Sequence, residues 1–276
     1  MNVFPEVIAD DDIHMRPMVA GDTPTILRHL GDLDIARWMA ATKQPFGSAE
    51  AEEIQAIGQD PDRRLRVIEL GGVMVGCLCL VPDLWFWMDP AFRGRGFMSR
   101  SLRAAITAHF ATLAPPLLAT CREDNQASRA VLSSLGFSRK LQGRRMFFQS
   151  EGRALACLDH VMTPEQWMAL NPPVQVCGPA TLRPATQRDA PGLMHLLPLR
   201  DEDVDWPTPE ALSRFIEEHR CRYPGRGLFV IEDDHRRLVG VMLRNGTDVG
   251  AVRFLTPDDA VRYMPGLVAA IPGLSA

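Results

Sequence analysis

The chain has 276 residues, more than one common domain holds, so one large or two modest domains are expected, each able to bury its own core. With 46% hydrophobic and 23% charged residues it reads as globular, and a net charge of −4 with scattered basic residues argues against nucleic acid or an anionic membrane as partner. No apolar run approaches the roughly 18 residues needed to cross a bilayer.

The first predicted elements are a strand at Ile13–Arg16, helices at Thr23–Leu30 and Ala49–Ile57, and strands at Leu65–Leu70 and Val73–Val81 joined by a Gly71-Gly72 hairpin turn. A strand at Leu84–Met88, a helix from Gly96 to about Leu113, a break at Pro115-Pro116, a strand at Leu117–Cys121 and a helix from Gln126 follow. Strands near Arg145–Phe148 and Leu155–Val161 close the set. The six cysteines (Cys77, Cys79, Cys121, Cys157, Cys177 and Cys221) are thinly spread and read as reduced thiols of a cytoplasmic protein. Cys77 and Cys79 share a strand face but lack companion ligands, so they read as small core residues and no metal is expected.

Trp85 to Ser99 is the most informative stretch, because it runs from a short apolar strand through a tight turn into a helix start. Gly94 and Gly96 remove side chains where backbone N–H groups can turn inward, and the helix that follows aims its unpaired N–H groups and positive dipole end the same way. The amides of Gly94, Arg95, Gly96, Phe97, Met98 and Ser99 thus form a candidate nest for a pyrophosphate, flanked by Arg93, Arg95 and Arg100. A glycine pair at a helix start also serves turns for purely steric reasons, and both readings stand on these residues alone. Further on, Asn125 suits an N-cap and Gly136 a helix stop.

The order strand, R-x-x-G-x helix (Arg93 to Phe97), strand, N-x-x-S helix (Asn125 to Ser128), G-F strand (Gly136-Phe137) resembles the GNAT superfamily of acetyl-CoA-dependent N-acetyltransferases. Gly136 to Gly143 followed by Leu158 to Trp167 resembles the branch containing the ribosomal-protein N-terminal acetyltransferases, and the resemblance covers roughly residues 12–168. Met98 departs from the family motif, which usually ends in Gly or Ala. The resemblance implies an α/β (α+β) GNAT fold, a mixed and mostly antiparallel sheet flanked by helices, with the strand carrying Phe86 and the strand carrying Ala119 as parallel neighbours joined by a right-handed crossover. It also implies acetyl-CoA as co-substrate, an amine acceptor, and backbone groups of Phe86, Trp87 and Met88 at the thioester carbonyl, while the side chains of Trp85 and Trp87 pack the sheet. Asn125 would contact CoA. Many family members protonate the departing thiolate with a tyrosine where Leu132 stands here. The only tyrosines, Tyr223 and Tyr263, would have to reach across the domain interface, and the alternative the resemblance implies is Ser128, since the ribosomal branch has Ser at that place.

No general base stands out. Glu69, Glu123, Asp124, His14 and His109 are candidates by type only, and a water chain would also serve. An acyl-CoA-binding sensor without catalysis is the rival reading, motivated by the missing tyrosine and base.

Self-comparison reveals a repeat. Arg16-Pro17, Asp22, Pro24 and Leu30 recur as Arg183-Pro184, Asp189, Pro191 and Leu197 at an offset of 167, and Val67-Ile-Glu69 and Val75-Gly76 recur as Val230-Ile-Glu232 and Val239-Gly240 at 163 and 164. So long a period indicates duplicated domains. The expected layout is a complete GNAT domain at 1–170, a linker at 171–180, and at 181–276 a smaller, truncated GNAT-like domain without a phosphate loop. Gly225-Arg-Gly227 precedes the apolar run Leu228 to Ile231 and reads as a turn. The second domain would shape the acceptor groove or stabilise the first, and the protein would be a homodimer or a monomeric pseudo-dimer.

Overall fold

Leu65, Val67, Cys77, Cys79 and Trp87 share one face of their strands, and that buried face organises the first half of the chain. The computed structural model describes residues 3–196, 208–246, 248–271 and 273–274. It divides the chain into two compact units, Met1–Thr163 and Pro164–Ala276.

In the first unit, β1 (Ile8–Asp10), β2 (Ile13–Arg16), β3 (Leu65–Leu70), β4 (Val73–Cys79) and β5 (Trp85–Met88) form an antiparallel sheet in chain order. Three helices, α1 (Thr23–Gly31), α2 (Leu33–Ala36) and α3 (Ser48–Gln59), supply Ile26, Leu30, Ile35 and Ala51 to the core on the Trp87 face. α4 (Phe97–Ala111) packs against β1 and β2. Then come β6 (Leu117–Arg122), α5 (Gln126–Ser134), β7 (Ser138–Phe148) and β8 (Arg153–Met162), the strands forming a second sheet in the order β6-β8-β7. Sequence patterning missed β1 and α2, both too short to show a period, and β7 begins earlier than expected.

β5 and β6 are the expected parallel neighbours, but they meet at one point only. Leu84 bridges Ala119, and the Leu84 N–H donates to the Leu118 carbonyl at 2.7 Å. Beyond that bridge the two strands diverge.

The second unit holds α6 (Pro164–Leu170), β9 (Gln175–Cys177), β10 (Ala180–Pro184), α7 (Ala190–Leu193), α8 (Pro209–Glu218), β11 (Arg226–Glu232), β12 (Leu238–Asn245), β13 (Asp248–Phe254) and α9 (Pro257–Ala270). Its sheet is antiparallel in the order β13-β12-β11-β10-β9. The stretch 171–180 is therefore not a plain linker: β9 pairs with β10 there, and the division between units falls before α6. Its Pro and Gly content masked a strand in which Cys177 is buried and Val176 is exposed.

The repeat seen in sequence is matched in register. Arg16 faces Val67 as Arg183 faces Val230, and both β3 and β11 carry an irregularity at the same step, Ile68/Glu69 and Ile231/Glu232. A Cβ on Gly76 would stand 2.5 Å from the Trp87 carbonyl oxygen, and one on Gly240 would stand 2.7 Å from that of Arg253. β13 thus corresponds to β5 and α9 to α4. Leu197, the counterpart of Leu30, lies outside the described residues.

Each copy is pinned by the same ion triad. Arg16 donates to both Asp22 oxygens at 2.8 Å and from Nε to Glu69 at 2.9 Å; Arg183 donates to Asp189 at 2.9 and 2.7 Å and to Glu232 at 2.6 Å. Pro24 and Pro191 start the following helices, where a missing N–H costs nothing. Burial pushes the Asp22 carboxyl up, but the Arg16 guanidinium and the Val19 N–H more than offset it and hold the group below the usual carboxylate range. A carboxyl depressed in this way stabilises the fold fully above about pH 4, and that contribution fades as pH falls further. Asp22→Asn should cost about 2 kcal/mol at pH 7 and markedly less at pH 3, measured by denaturant unfolding at both values.

Candidate active site

The turn after β5 is shaped by Asp89, whose Oδ1 accepts from the Ala91 N–H at 2.9 Å and so caps the short Pro90–Phe92 turn. Gly94 and Gly96 then adopt φ of 74° and 78°, left-handed values that any side chain would strain. A Cβ at either would meet nothing within 4 Å, so the glycines answer to backbone geometry and leave open space above them. Gly96 occupies the N-cap position of α4 without a side-chain cap, which leaves the first amides of that helix, at Phe97, Met98 and Ser99, without an intrahelical acceptor.

A cleft of about 400 Å³ opens from this point. Its nest end is lined by Arg93, Gly94, Gly96, Phe97, Met98 and Ser99, with Asn125, Ser128 and Leu132 of the α5 segment facing them. Asn125 caps α5 by accepting from the Ser128 N–H at 3.0 Å, and Ser128 is half-buried. Ser128 lies beside Cys121, whose thiol is pushed up by burial. Leu132 is buried.

The splay of β5 and β6 decides which backbone groups are free. Along a strand, N–H groups alternate sides. Leu84 points to β6 and Asp89 to the Val75 carbonyl of β4 at 2.8 Å, so Phe86 and Met88 aim their N–H groups into the gap while that of Trp87 belongs to the β4 ladder. Trp87 therefore enters the site through its side chain and not its amide, because the ladder takes every second N–H. Trp85 and Trp87 stack at 5.5 Å, nearly parallel, and line the cleft with Ile35, Trp38 and Met39. The cleft consequently reaches both faces of the sheet through the gap.

The flanking arginines differ. Arg93 lines the cleft and donates from Nε to the Met88 carbonyl at 3.0 Å, Arg95 is exposed and does not line it, and Arg100 turns away to Asp10 and Asp12 at 2.9 and 2.8 Å. Arg100 is thus withdrawn from any phosphate role by aspartates whose proximity the sequence did not reveal.

None of the candidate bases lines the cleft. Glu69 is bound to Arg16, and Asp124 to Arg122. His14 and Glu123 are exposed. His109 lies about 18 Å along α4 from its first residue. Its Nε2–H donates to the Pro115 carbonyl at 3.1 Å and its Nδ1 accepts from Arg64 at 2.8 Å, so the ring is neutral, and burial pushes its pKa down to about 4. Tyr263 is buried within the second unit. Among the described residues no group of three or more His, Cys, Asp or Glu is arranged to hold a metal ion, and no helix is long and apolar enough to cross a membrane.

The sequence reading missed the segment Ile35 to Met39, which forms the far wall. Trp38 stands against two guanidiniums, Arg37 at 4.9 Å and Arg122 at 4.6 Å from its ring centre. Arg122 is buried and fully engaged: it binds Asp124 through two bonds, Glu151 at 3.0 Å and the Arg37 carbonyl at 3.0 Å. The unusual Arg37-Trp38 pair was the available signal.

Residues 12–138, within the first unit, match the family model described as the acetyltransferase (GNAT) domain. Among solved structures, the ribosomal L7/L12 α-N-protein acetyltransferase RimL in complex with coenzyme A is 20% identical, with 57% of this chain and 97% of that one covered at a TM-score of 0.51. The microcin C7 self-immunity acetyltransferase MccE in complex with acetyl-CoA and AMP is 14% identical, with 58% and 98% covered at a TM-score of 0.50. These likenesses bear on the fold. No curated protein matches by sequence.

His109 offers a check on the site's emptiness of bases. A histidine held neutral in the fold and free to protonate when unfolded costs stability as pH falls from about 6.5 towards 4. His109→Gln should remove roughly 2–3 kcal/mol of that acid-side loss, read from denaturant unfolding at pH 7 and pH 4.5, while leaving ligand affinity at pH 7 unchanged.

Proposed function

We propose that the first unit is an acetyl-CoA-dependent N-acetyltransferase acting on a primary amine, with the carrier on the α4 and α5 side of the cleft and the acceptor on the tryptophan side. The observation that carries this reading is the splay of β5 from β6, which turns the Phe86 and Met88 amides into a gap opening on the uncapped start of α4. The nest amides and the positive end of the α4 dipole suit a diphosphate. Asn125 has its oxygen committed to the cap, so its amide NH₂ remains to donate to the pantetheine arm.

Acetyl-CoA supplies a thioester carbonyl that an amine can attack. The new C–N bond forms as the C–S bond breaks, and the proton lost by nitrogen balances the one gained when sulfur leaves as thiol. The Phe86 and Met88 N–H groups suit the carbonyl oxygen as charge builds on it. Ser128 suits the proton transfer to sulfur, since Leu132 offers none.

The second unit is read as a GNAT-like half that lacks a phosphate site of its own. Thr256 caps α9 by accepting from the Asp259 N–H, and Asp258 and Asp259 place negative charge in its first turn, where a diphosphate would be repelled.

Two measurements test the first unit's role. Replacing both Gly94 and Gly96 by Asp should lower acetyl-CoA affinity by at least a hundredfold in calorimetry, because carboxylates then occupy the space above the nest; undiminished affinity contradicts the reading. Ser128→Ala should reduce kcat by roughly a hundredfold with the KM for acetyl-CoA nearly unchanged. Tight acetyl-CoA binding with no CoA release across all amines would favour the sensor.

A further inference from the structure

Resting on the transferase reading, we infer that the acceptor is a primary amine carried next to a large apolar group, such as an aromatic or long aliphatic side chain, and not a polycation. Five side chains form the acceptor wall: Ile35, Trp38, Met39, Trp85 and Trp87. Each is apolar or aromatic, and the Trp87 indole N–H already points at His29 Nδ1. Among the described residues lining the cleft the only charged one is Arg93, at the nest end. A polyamine or an amino sugar binds through carboxylates, and none of the described residues lining this cleft carries one.

The wall is also preset. Trp85 and Trp87 are stacked within 4° of parallel, giving a flat aromatic surface. Trp38 is held from behind by the Arg122 guanidinium, which Asp124 and Glu151 neutralise. The turn that bears Trp38 is tied to the β7–β8 hairpin through the Gln149 N–H, which donates to the Ala40 carbonyl at 3.0 Å. A rigid apolar wall recognises apolar surface at little ordering cost.

The test uses the full chain, acetyl-CoA and a thiol-release assay. The acceptors are tripeptide amides beginning with Phe, Leu, Ser or Gly, together with phenethylamine and spermidine. Phe- or Leu-initiated peptides, phenethylamine, or both should exceed Ser- and Gly-initiated peptides and spermidine by at least tenfold in kcat/KM, and the arm that wins tells a peptide N-terminus from a small-molecule amine. Trp38→Ala should shrink that ratio several-fold by raising the KM of the apolar acceptors while leaving acetyl-CoA affinity intact; Trp38→Leu serves if the alanine variant does not fold. Spermidine or the Ser-initiated peptide matching the apolar acceptors overturns the inference and leaves the transferase reading standing. No release with any amine overturns both.

Discussion

A single parallel bridge, Leu84 to Ala119, is the constraint on which the site depends. Were β5 and β6 paired along their length, the Phe86 and Met88 amides would be spent on ladder hydrogen bonds and the sheet would be closed. Because the pairing stops after one bridge, those amides face a gap. The gap connects two different surfaces. On one side stands the start of α4, with left-handed glycines and amides lacking acceptors; on the other stands a wall of tryptophans backed by the α1 to α3 core. A polar surface and an apolar one are thereby separated by the thickness of one sheet.

The second unit makes the same point by contrast. Its sheet order, register irregularity, Arg183 triad and close glycine contact all follow the first unit. Yet where the first unit spends residues 89 to 96 on a capped turn and two glycines, the second passes from Phe254 to the Thr256 cap almost at once. The scaffold terms, apolar alternation and a partly buried ion triad, are kept. No left-handed glycine pair immediately precedes α9, and Asp258 and Asp259 stand in its first turn.

Much of this was legible in the chain because it is written in local terms. Gly94, Gly96, Asn125 and Gly136 have backbone roles that sequence alone can signal, and the triad residues could be found because they recur. What stayed hidden was set by tertiary pairing. Which of Phe86, Trp87 and Met88 frees its amide depends on the partner strand, and Arg100 looks like a phosphate ligand until Asp10 and Asp12 are brought beside it. Trp38 gave no periodic signal because it sits in a turn after a helix of four residues, and β9 was masked by the prolines and glycine around it.

Hydrogen–deuterium exchange with and without acetyl-CoA reaches the central claim most directly. The account predicts that the carrier slows exchange at Phe86, Met88 and the amides from Gly94 to Ser99, with no change in the first turn of α9. Saturating binding that leaves those amides exchanging as before, or that protects the start of α9 instead, would contradict it.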